Sequence, residues 1–552
     1  MGLFNKASIV MTPNGVKAGK VYSVKPSDGD GDFTFSRATV ANKEASNGLI
    51  QETAVNVPRL DYSDGTCPAL LLEPQSTNLI TYPLSFPNNY WAKSKASIEG
   101  DASTATNEVI LNGGFAGSTA NWGFGAGWAY GANNIIATAT SSNLQQNSVV
   151  FNNTKTYKIT IDISGWTSGS ISRLQIGGES VPNTAIDSNG SHVFYHNPTV
   201  NSTQNLYIVV SGFSATIDNI SIKEVQGFVS PDGTSNAYKL VEDTSNGNHS
   251  IYSANTTVTL GVQHTISFYV KKGNRDRLRI EGGYRLDIDA TFDLGLLTST
   301  GGGKIDSLGS DWYRLSASGV GEISTGATNA FIYLLDDNGT QSYQGDGTSG
   351  IYIYGAQLEA LPYATSLMLP AVEGSTVTRV ADSCTNSGTP SDFGSAEGVL
   401  YAEIANITNG QDSRISISDG TLSNRASFAF APTANEAYCL VRFNGVQVIQ
   451  NLNLDLGFSQ TNFTKVAVKY KSGQSSLFVN GVKVISSSVT FSPTSSDFTL
   501  SISGATGVPF YGKVRGVQVY KEALTDTELY DLTKPLYSTF DVMTNDLQYD
   551  TI

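Results

Sequence analysis

The chain has 552 residues, only 15% of them charged, and a net charge of −14. This length predicts several domains, because a single hydrophobic core stops growing well below it. An acidic chain with no basic block lacks the electrostatic footprint of a nucleic-acid-binding protein, and no apolar run approaches the roughly 20 residues of a membrane-spanning helix. We therefore expect neither nucleic-acid binding nor membrane insertion.

The N-terminal segment 1–19 has neither the long apolar core nor the small-residue cleavage site of a signal peptide. Three widely spaced cysteines, Cys67, Cys384 and Cys439, predict no disulfide framework and no CxxC zinc site. We interpret them as small buried hydrophobic residues. Synthesis in a reducing cytoplasm is the expectation that follows.

Strand patterns dominate the rest of the chain. β-Branched and aromatic residues alternate or run together between turn residues in seven segments: 157–166, 205–213, 264–273, 331–337, 350–358, 464–473 and 476–486. Asn480–Gly481 predicts a two-residue hairpin turn. Thr525–Leu532 predicts a helix, with Thr525 and Glu528 spaced as a capping box. Many short strands with almost no helix predict an all-β protein of several β-sandwiches.

Several phrases resemble segments of tailed-bacteriophage virion structural proteins. GDFTFSRATVANKEASNGLIQ (31–51) is similar to a lead-in of such proteins, and EPQSTNLITY (73–82) with Tyr90–Ser94 is similar to the opening of the module that follows it. Three later segments resemble the end of the same module: GSDWYRLSASG (309–319), IYIYGAQLEALPYATSLMLP (351–370) and GSTVTRVADS (374–383). In that family the module is a jelly-roll sandwich of carbohydrate-binding type.

A second module is nested in the first, because the continuation expected after the opening resumes only at Ser230. The intervening stretch starts with ILNGGFAGSTANWGFGAGW (110–128) and ends with ATIDNISIKEV (215–225), which resemble the two ends of another carbohydrate-binding jelly roll. Near the C-terminus, SLFVNGVKV (476–484) and FYGKVRGVQVYKEALTDTELYDL (510–532) resemble a laminin-G or concanavalin A-like sandwich.

These resemblances imply a domain plan. The predicted domains are an N-terminal arm and virion-anchoring lead-in (1–66), a split jelly-roll sandwich (67–105 and 227–382), an inserted carbohydrate-binding-like jelly roll (106–226), a linker rich in Ser, Gly and Pro (383–395), a concanavalin A-like or laminin-G-like sandwich (396–533) and a C-terminal tail (534–552). The expected fold class is all-β, with two jelly rolls, one inside the other, and one concanavalin A-like sandwich.

The insert is the first candidate for a sugar-binding surface. No charged residue occurs from Val109 to Thr154, whereas aromatic and amide side chains are frequent there. Aromatic rings stack on the apolar faces of sugars, and amide and hydroxyl groups bond the sugar hydroxyls. Four residues of the insert are the predicted glycan contacts: Trp122, Trp128, Tyr130 and Trp166. The open alternative is that the three tryptophans belong to the core.

RDRLRIEGGYRLDID (275–289) is the second candidate. In a strand, its alternation would place Arg275, Arg277 and Arg279 on one face. Three neighbouring guanidinium groups could form bidentate hydrogen bonds with carboxylated or phosphorylated glycans. A solvated face with acidic neighbours, or a subunit contact, explains the same pattern.

Metal and catalytic patterns are weak. DGDGD (28–32) has alternating carboxylates, but it lacks the glycine and glutamate of a calcium-binding EF-hand loop, so an acidic turn before a strand is the favoured interpretation. We expect no cofactor and leave a structural calcium open. His192 and His196 would share a strand face without forming a metal motif. No paired-carboxylate motif, HExxH, nucleophile elbow or phosphate loop occurs, so we predict that the protein is not an enzyme.

Together these features predict a fibre-like structural protein of the phage virion, on tail or head, that binds host surface glycans without catalysis. The resemblance implies other virion proteins as partners and a homo-oligomer, commonly a trimer. Two alternatives remain: a purely structural decoration or adaptor protein, and a polysaccharide depolymerase whose acidic residues come from distant segments. Burial of Trp122, Trp128 and Trp166 would favour the structural alternative.

Overall fold

A computed structural model describes residues 2–153, 155–181, 185–492, 498–502 and 508–535. The predicted tail therefore lies outside the described residues beyond Pro535. The described residues are almost entirely β, which confirms the predicted fold class; they include the helices α1 (Leu3–Lys6) and α2 (Asp526–Thr533) and two 3₁₀-helices, Ala102–Thr104 and Pro390–Asp392. None of the described helices is long and apolar enough to cross a membrane.

The chain divides into two compact units. Unit 1 consists of Met1–Ser76 and Arg379–Ile552, and unit 2 consists of Thr77–Thr378. The predicted domain boundaries are finer than this division and stay predictions.

The strands are numbered in chain order. The first nine are β1 (Ala7–Met11), β2 (Val16–Lys17), β3 (Lys20–Val21), β4 (Phe33–Ser36), β5 (Ala41–Glu44), β6 (Ile50–Thr53), β7 (Arg59–Asp61), β8 (Ala69–Leu72) and β9 (Ser76–Asn78). The next ten are β10 (Trp91–Ser94), β11 (Ala96–Glu99), β12 (Trp122–Phe124), β13 (Trp128–Tyr130), β14 (Ile135–Thr140), β15 (Leu144–Phe151), β16 (Thr156–Ile176), β17 (Glu179–Ser180), β18 (Gly190–His196) and β19 (Ser202–Val225).

After the insert follow β20 (Tyr238–Glu242), β21 (Asn246–Asn248), β22 (Ser250–Ser253), β23 (Thr256–Val258), β24 (Gln263–Lys271), β25 (Arg277–Glu281), β26 (Asp289–Asp293), β27 (Thr298–Ser299), β28 (Lys304–Ser307), β29 (Trp312–Val320), β30 (Gly326–Thr328), β31 (Phe331–Leu334), β32 (Ser342–Gln344) and β33 (Gly350–Glu359). The last are β34 (Val377–Arg379), β35 (Ser383–Thr385), β36 (Glu397–Asn406), β37 (Ser413–Ser418), β38 (Arg425–Phe430), β39 (Glu436–Phe443), β40 (Val446–Asp455), β41 (Thr464–Lys471), β42 (Ser475–Val479), β43 (Val482–Ser487), β44 (Thr499–Ser501) and β45 (Gly512–Tyr520).

Two antiparallel sheets form the sandwich of unit 1. One has the order β43-β42-β41-β36-β45-β8-β7, with β1 also paired to β45, and the other has the order β40-β39-β38-β37-β44. The core between them contains Leu400, Phe428 and Val441 from the C-terminal segment and Ile9 and Leu70 from the N-terminal segment. Residues from both ends of the chain therefore complete a single core.

The structure differs here from the predicted arm (1–66) and linker (383–395). Both segments contribute strands to unit 1: β35 pairs with β4, and Cys384 lies opposite Phe35 with both side chains buried. Their turn-forming residues suggest connectors, but the interspersed apolar residues fill the core. Cys439 is buried as predicted, whereas Cys67 is exposed. Anchoring of the particle through 1–66 stays a prediction.

Two local predictions are confirmed. Asn480 (φ 46°) and Gly481 (φ 83°) form the turn between β42 and β43, and both lie in the left-handed region that a type I′ turn requires. α2 begins after Thr525, whose hydroxyl accepts from the Glu528 amide while the Glu528 carboxylate accepts from the Thr525 amide. Turn and cap chemistry depend on neighbouring residues only, so the sequence suffices to predict them.

Unit 1 contains a buried ion network of three arginines and two acids. Arg37 Nη1 lies 3.1 Å from Asp382 Oδ1, and Arg379 Nη1 lies 2.8 Å from Glu73 Oε2. Arg59 donates to both Glu73 and Asp382. All five side chains are buried, so each charge has exchanged its hydration for these partners.

The split sandwich of unit 2 consists of two six-stranded sheets, ordered β10-β22-β31-β25-β26-β27 and β11-β20-β33-β24-β29-β28. Trp91, Leu240, Ile266 and Leu278 belong to its core. β10 and β11 precede the insert in sequence, and they pair with β22 and β20, which follow it. The sandwich thus closes across the insert.

The insert strands β12–β19 form an eight-stranded sheet around a separate core. In it, β16 and β19 pair along most of their length, with register shifts that let the strands bend. His196, at the end of β18, is fully buried, and neither of its ring nitrogens has a hydrogen-bond partner. Its Nε2 lies 3.7 Å from a carboxylate oxygen of Glu179. Burial, and then the charge of Lys93, lower the pKa of His196 to about 3.

Breaking the ion network should destabilise unit 1. Asp382→Asn removes the carboxylate that faces Arg37 and Arg59, and leaving buried cations uncompensated typically costs about 3–5 kcal/mol. Asp531→Asn, which breaks the exposed pair with Lys534, is the control and should cost less than about 1 kcal/mol. Chemical denaturation measures both, and equal losses would rule out a special role for the network.

Acidification should destabilise the wild type relative to His196→Phe. The unfolded histidine takes up a proton near pH 6.5 and the folded one only near pH 3, so falling pH across this window favours the unfolded state by up to about 1.4 kcal/mol per pH unit. Unfolding free energies measured from pH 7 to 3 test this, with His192→Phe on the same strand as control. Parallel profiles for wild type and His196→Phe would contradict it.

Candidate functional site

Two of the predicted glycan contacts are core residues. Trp122 and Trp128 are 7% and 8% exposed. Their indole N–H groups donate to the carbonyl oxygens of Asn112 (3.0 Å) and Ser142 (2.7 Å). The charge-free sequence around them fits buried strands as well as it fits a sugar platform, and the backbone acceptors allow the rings to be buried. The prediction that these two rings form an exposed platform is therefore wrong.

Tyr130 and Trp166 remain accessible. Tyr130 is 42% exposed, and its hydroxyl accepts a 3.4 Å hydrogen bond from the Asn133 amide. Trp166 packs partly against the core of the insert, and its indole N–H donates to Gly169 O at 2.9 Å. Sugar binding by either residue stays a prediction.

A row of aromatic side chains lies on the outer face of the split sandwich. Tyr252, Phe331 and Tyr333, which we call the aromatic face, are all half-buried. Ring centroids are 4.8 Å apart for Tyr252 and Phe331 and 5.5 Å apart for Phe331 and Tyr333, and the latter rings are within 6° of parallel. Strand pairing fixes this order, because Tyr252 on β22 lies opposite Phe331 on β31. The three rings stack against one another and form one apolar patch on this face.

The predicted arginines border this face, but each is already paired. Arg277 and Arg279 share the outer side of β25, as predicted, whereas Arg275 precedes the strand. Arg279 donates to both carboxylate oxygens of Asp289 (2.6 and 2.9 Å), and its guanidinium lies 5.8 Å from the centre of the Tyr333 ring. Burial, and then the charge of Glu281, raise the pKa of Tyr333 to about 12, so its hydroxyl stays protonated as a donor.

The other two arginines have equally firm partners. Arg275 forms a bidentate pair with buried Glu242, with both N–O distances 2.9 Å, and it also reaches Asp337. Arg277 Nε lies 3.0 Å from Asp293 Oδ2. Carboxylates of the chain thus already accept the guanidinium hydrogen bonds that were predicted to bind an acidic glycan. What remains accessible is a polar rim for hydroxyl groups beside the rings.

No group of three or more metal-ligating side chains that could hold a metal ion occurs in the described part of the chain. At DGDGD, Asp28 Oδ1 accepts from the Asp30 amide (3.1 Å) and Asp32 Oδ1 accepts from the Ser23 amide (2.9 Å). These bonds are those of a polar turn.

Residues 400–529 match the family model described as the Concanavalin A-like lectin/glucanases superfamily. The C-terminal sandwich is a concanavalin A-like domain. No curated protein sequence matches the chain.

Two solved structures show weak overall similarity to the chain. The N-terminal CBM22-1–CBM22-2 tandem domain of Paenibacillus barcinonensis Xyn10C is 15% identical with a TM-score of 0.17, over 47% of this chain and 99% of that chain. Trypanosoma rangeli sialidase in complex with sialic acid is 10% identical with a TM-score of 0.21, over 93% and 98%. These similarities support no functional inference.

Sequence reasoning missed the aromatic face. The alternation of Phe331 and Tyr333 with Ile332 and Leu334 could have placed both rings outward. Their adjacency to Tyr252 depends on the pairing of β22 with β31. No local pattern encodes that pairing, since the two strands are far apart in sequence.

Trp128→Ala should act on stability. Removing a large buried ring from a core typically costs about 3–5 kcal/mol, whereas Tyr130→Ala, two residues along the same strand, should cost less than about 1 kcal/mol. Denaturation followed by circular dichroism compares the two variants. A Trp128→Ala protein with wild-type stability would contradict the core assignment.

Proposed function

We propose that this protein is a non-enzymatic, fibre-like structural protein of a tailed-bacteriophage virion that binds host surface glycans, with the aromatic face as the binding surface. The observation that carries the glycan proposal is the row of Tyr252, Phe331 and Tyr333, whose rings follow one another at 4.8 and 5.5 Å on a solvent-facing sheet. Sugars offer apolar faces that stack on such rings, and polar neighbours then bond their hydroxyls.

The polar neighbours suit this role. Arg279 donates hydrogen bonds to both Asp289 and Gln341, so the three side chains are held in position before a ligand arrives, which lowers the entropy cost of binding. The acids at this rim, Glu281 and Asp289, pair with Arg279, an arrangement that favours binding over acid–base chemistry. The lectin/glucanase superfamily match of 400–529 adds support for a carbohydrate-related role.

The virion assignment is supported by the resemblance of the segments 31–51, 73–82 and 374–383 to phage structural proteins. On that basis its partners are other virion proteins, its location is the tail or head of the particle, and it assembles as a homo-oligomer. A second candidate is a purely structural decoration protein, which the burial of Trp122 and Trp128 favours.

Binding of the full-length protein to a panel of polysaccharides and to intact host cells tests the proposal. Tyr333→Ala and Phe331→Ala should each weaken binding several-fold, because a stacked ring contributes about 0.5–1.5 kcal/mol beyond its buried area. Tyr284→Ala is the matched control, since Tyr284 is 79% exposed and lies outside the row.

Three results would change the assignment. No binding by the wild type would favour the structural role. Equal losses in all three variants would rule out the aromatic face as the binding surface. Oligosaccharide products in the same samples would show that the protein is a depolymerase.

A further inference from the structure

The outer face of the five-stranded sheet in the concanavalin A-like domain carries three arginines. On β37 and β38, Ile415, Ile417 and Phe428 point into the core. Alternation along a strand therefore places Arg414 and Arg425 on the opposite side of the sheet. Arg442 on β39 shares that side, since it pairs directly with Arg425. We call Arg414, Arg425 and Arg442 the arginine face.

Strand register places the like charges of Arg425 and Arg442 side by side. Ser418, Arg425 and Arg442 lie directly opposite one another on three neighbouring strands, and opposed side chains in a sheet have Cβ atoms roughly 5 Å apart. Like charges in such positions repel each other and destabilise the sheet. Arg414 Nη2 donates to the Tyr438 hydroxyl at 2.9 Å, and its guanidinium lies 5.4 Å from that ring.

Arg425 is the least compensated of the three. It is 9% exposed, and its Nε is buried without a hydrogen-bond partner. In the part of the chain that the structure describes, no carboxylate pairs with Arg425, and the charged groups that act on it are Arg414 and Arg442. Burial, and then these two like charges, lower the pKa of Arg425.

The arginine face and the arginines near the aromatic face differ in how many carboxylates they meet. Arg275, Arg277 and Arg279 each meet at least one carboxylate. On the arginine face, Arg442 donates to an uncharged amide, Gln447 Oε1, at 3.0 Å. The neighbouring outward positions on β37 and β38 carry small hydroxyl side chains where acids would neutralise the site: Ser416, Ser418 and Ser427. Arg425 and Arg442 therefore meet no carboxylate in the described chain, whereas Arg414 shares the Tyr438 hydroxyl with Asp412, whose Oδ1 accepts from that hydroxyl at 2.7 Å.

We propose that the arginine face binds an oxyanion, the carboxylate, sulfate or phosphate group of an acidic glycan or of a small ligand. Arg425 and Arg442 supply the forked donors, and Arg414 adds positive charge beside them. Guanidinium groups bind such anions through short, charge-assisted hydrogen bonds, and the bound anion would relieve the repulsion between the arginines. This site is in unit 1 and does not depend on glycan binding at the aromatic face.

Binding of the full-length protein to inorganic sulfate, polygalacturonate and uncharged dextran tests the proposal. We expect saturable binding of an anionic probe and no competition from dextran. Arg425→Gln and Arg442→Gln should each weaken anion binding about tenfold or more, as expected for a lost charge-assisted hydrogen bond. Arg515→Gln is the matched control, because it removes the same charge from the other sheet of the same sandwich.

Comparing a polymeric anion with a small one distinguishes two results that would both support the proposal. Tighter binding of polygalacturonate than of sulfate would identify an acidic glycan, and the reverse would identify a small oxyanion. The proposal would be overturned by three results: no binding of either anion to the wild type, wild-type affinity in both Arg425→Gln and Arg442→Gln, or an equal loss in Arg515→Gln, which would indicate nonspecific attraction.

Stability supplies a second readout that a structural arginine would not give. Arg425→Met should raise the midpoint temperature of unfolding without ligand, because it removes an uncompensated buried charge. Sulfate or polygalacturonate, whichever binds, should raise the midpoint of the wild type and leave that of Arg425→Met unchanged. A lower midpoint for Arg425→Met together with an unchanged response to anions would overturn the proposal.

Discussion

The buried ion network of unit 1 is the constraint on which that unit depends. Arg37, Arg59 and Glu73 come from the N-terminal segment, whereas Arg379 and Asp382 follow the whole of unit 2 in sequence. A buried charge without its partner costs several kcal/mol, so the network is favourable only when both segments are in place. The N-terminal segment also extends a sheet of the concanavalin A-like domain, because β1 and β8 both pair with β45.

Charge pairing also decides what the two groups of arginines can do. Carboxylates supplied by β20, β26 and the loop after β31 satisfy Arg275, Arg277 and Arg279, so those guanidinium groups mainly hold strands and loops together beside the aromatic rings. The arginine face has the same kind of side chain on the same kind of sheet, but the residues opposite Arg425 are Ser418 and Arg442, and neither is an acid. Whether an arginine is structural or free to bind a ligand therefore depends on whether the neighbouring strand supplies a carboxylate.

That difference marks how far the sequence alone can predict the structure. Features that depend on adjacent residues could be predicted from the sequence: the strands, the turn at Asn480–Gly481, and the cap at Thr525. Features that depend on pairing between distant segments could not be predicted, including the alignment of Tyr252 with Phe331 and the partners of Arg279. The burial of Trp122 and Trp128 belongs to the second class, because a charge-free, aromatic-rich stretch is compatible with either face of a sheet.

The resemblance to phage structural proteins has a physical explanation that limits what it implies. Three of its segments contain four of the five network residues: Arg37 lies in 31–51, Glu73 in 73–82, and Arg379 and Asp382 in 374–383. These three segments therefore contribute to the buried charge network of unit 1. A chain could keep them and bind any partner, since a fold does not determine its function. Ligand choice must therefore depend on surfaces outside those phrases, and the aromatic face and the arginine face are two such surfaces of opposite chemistry.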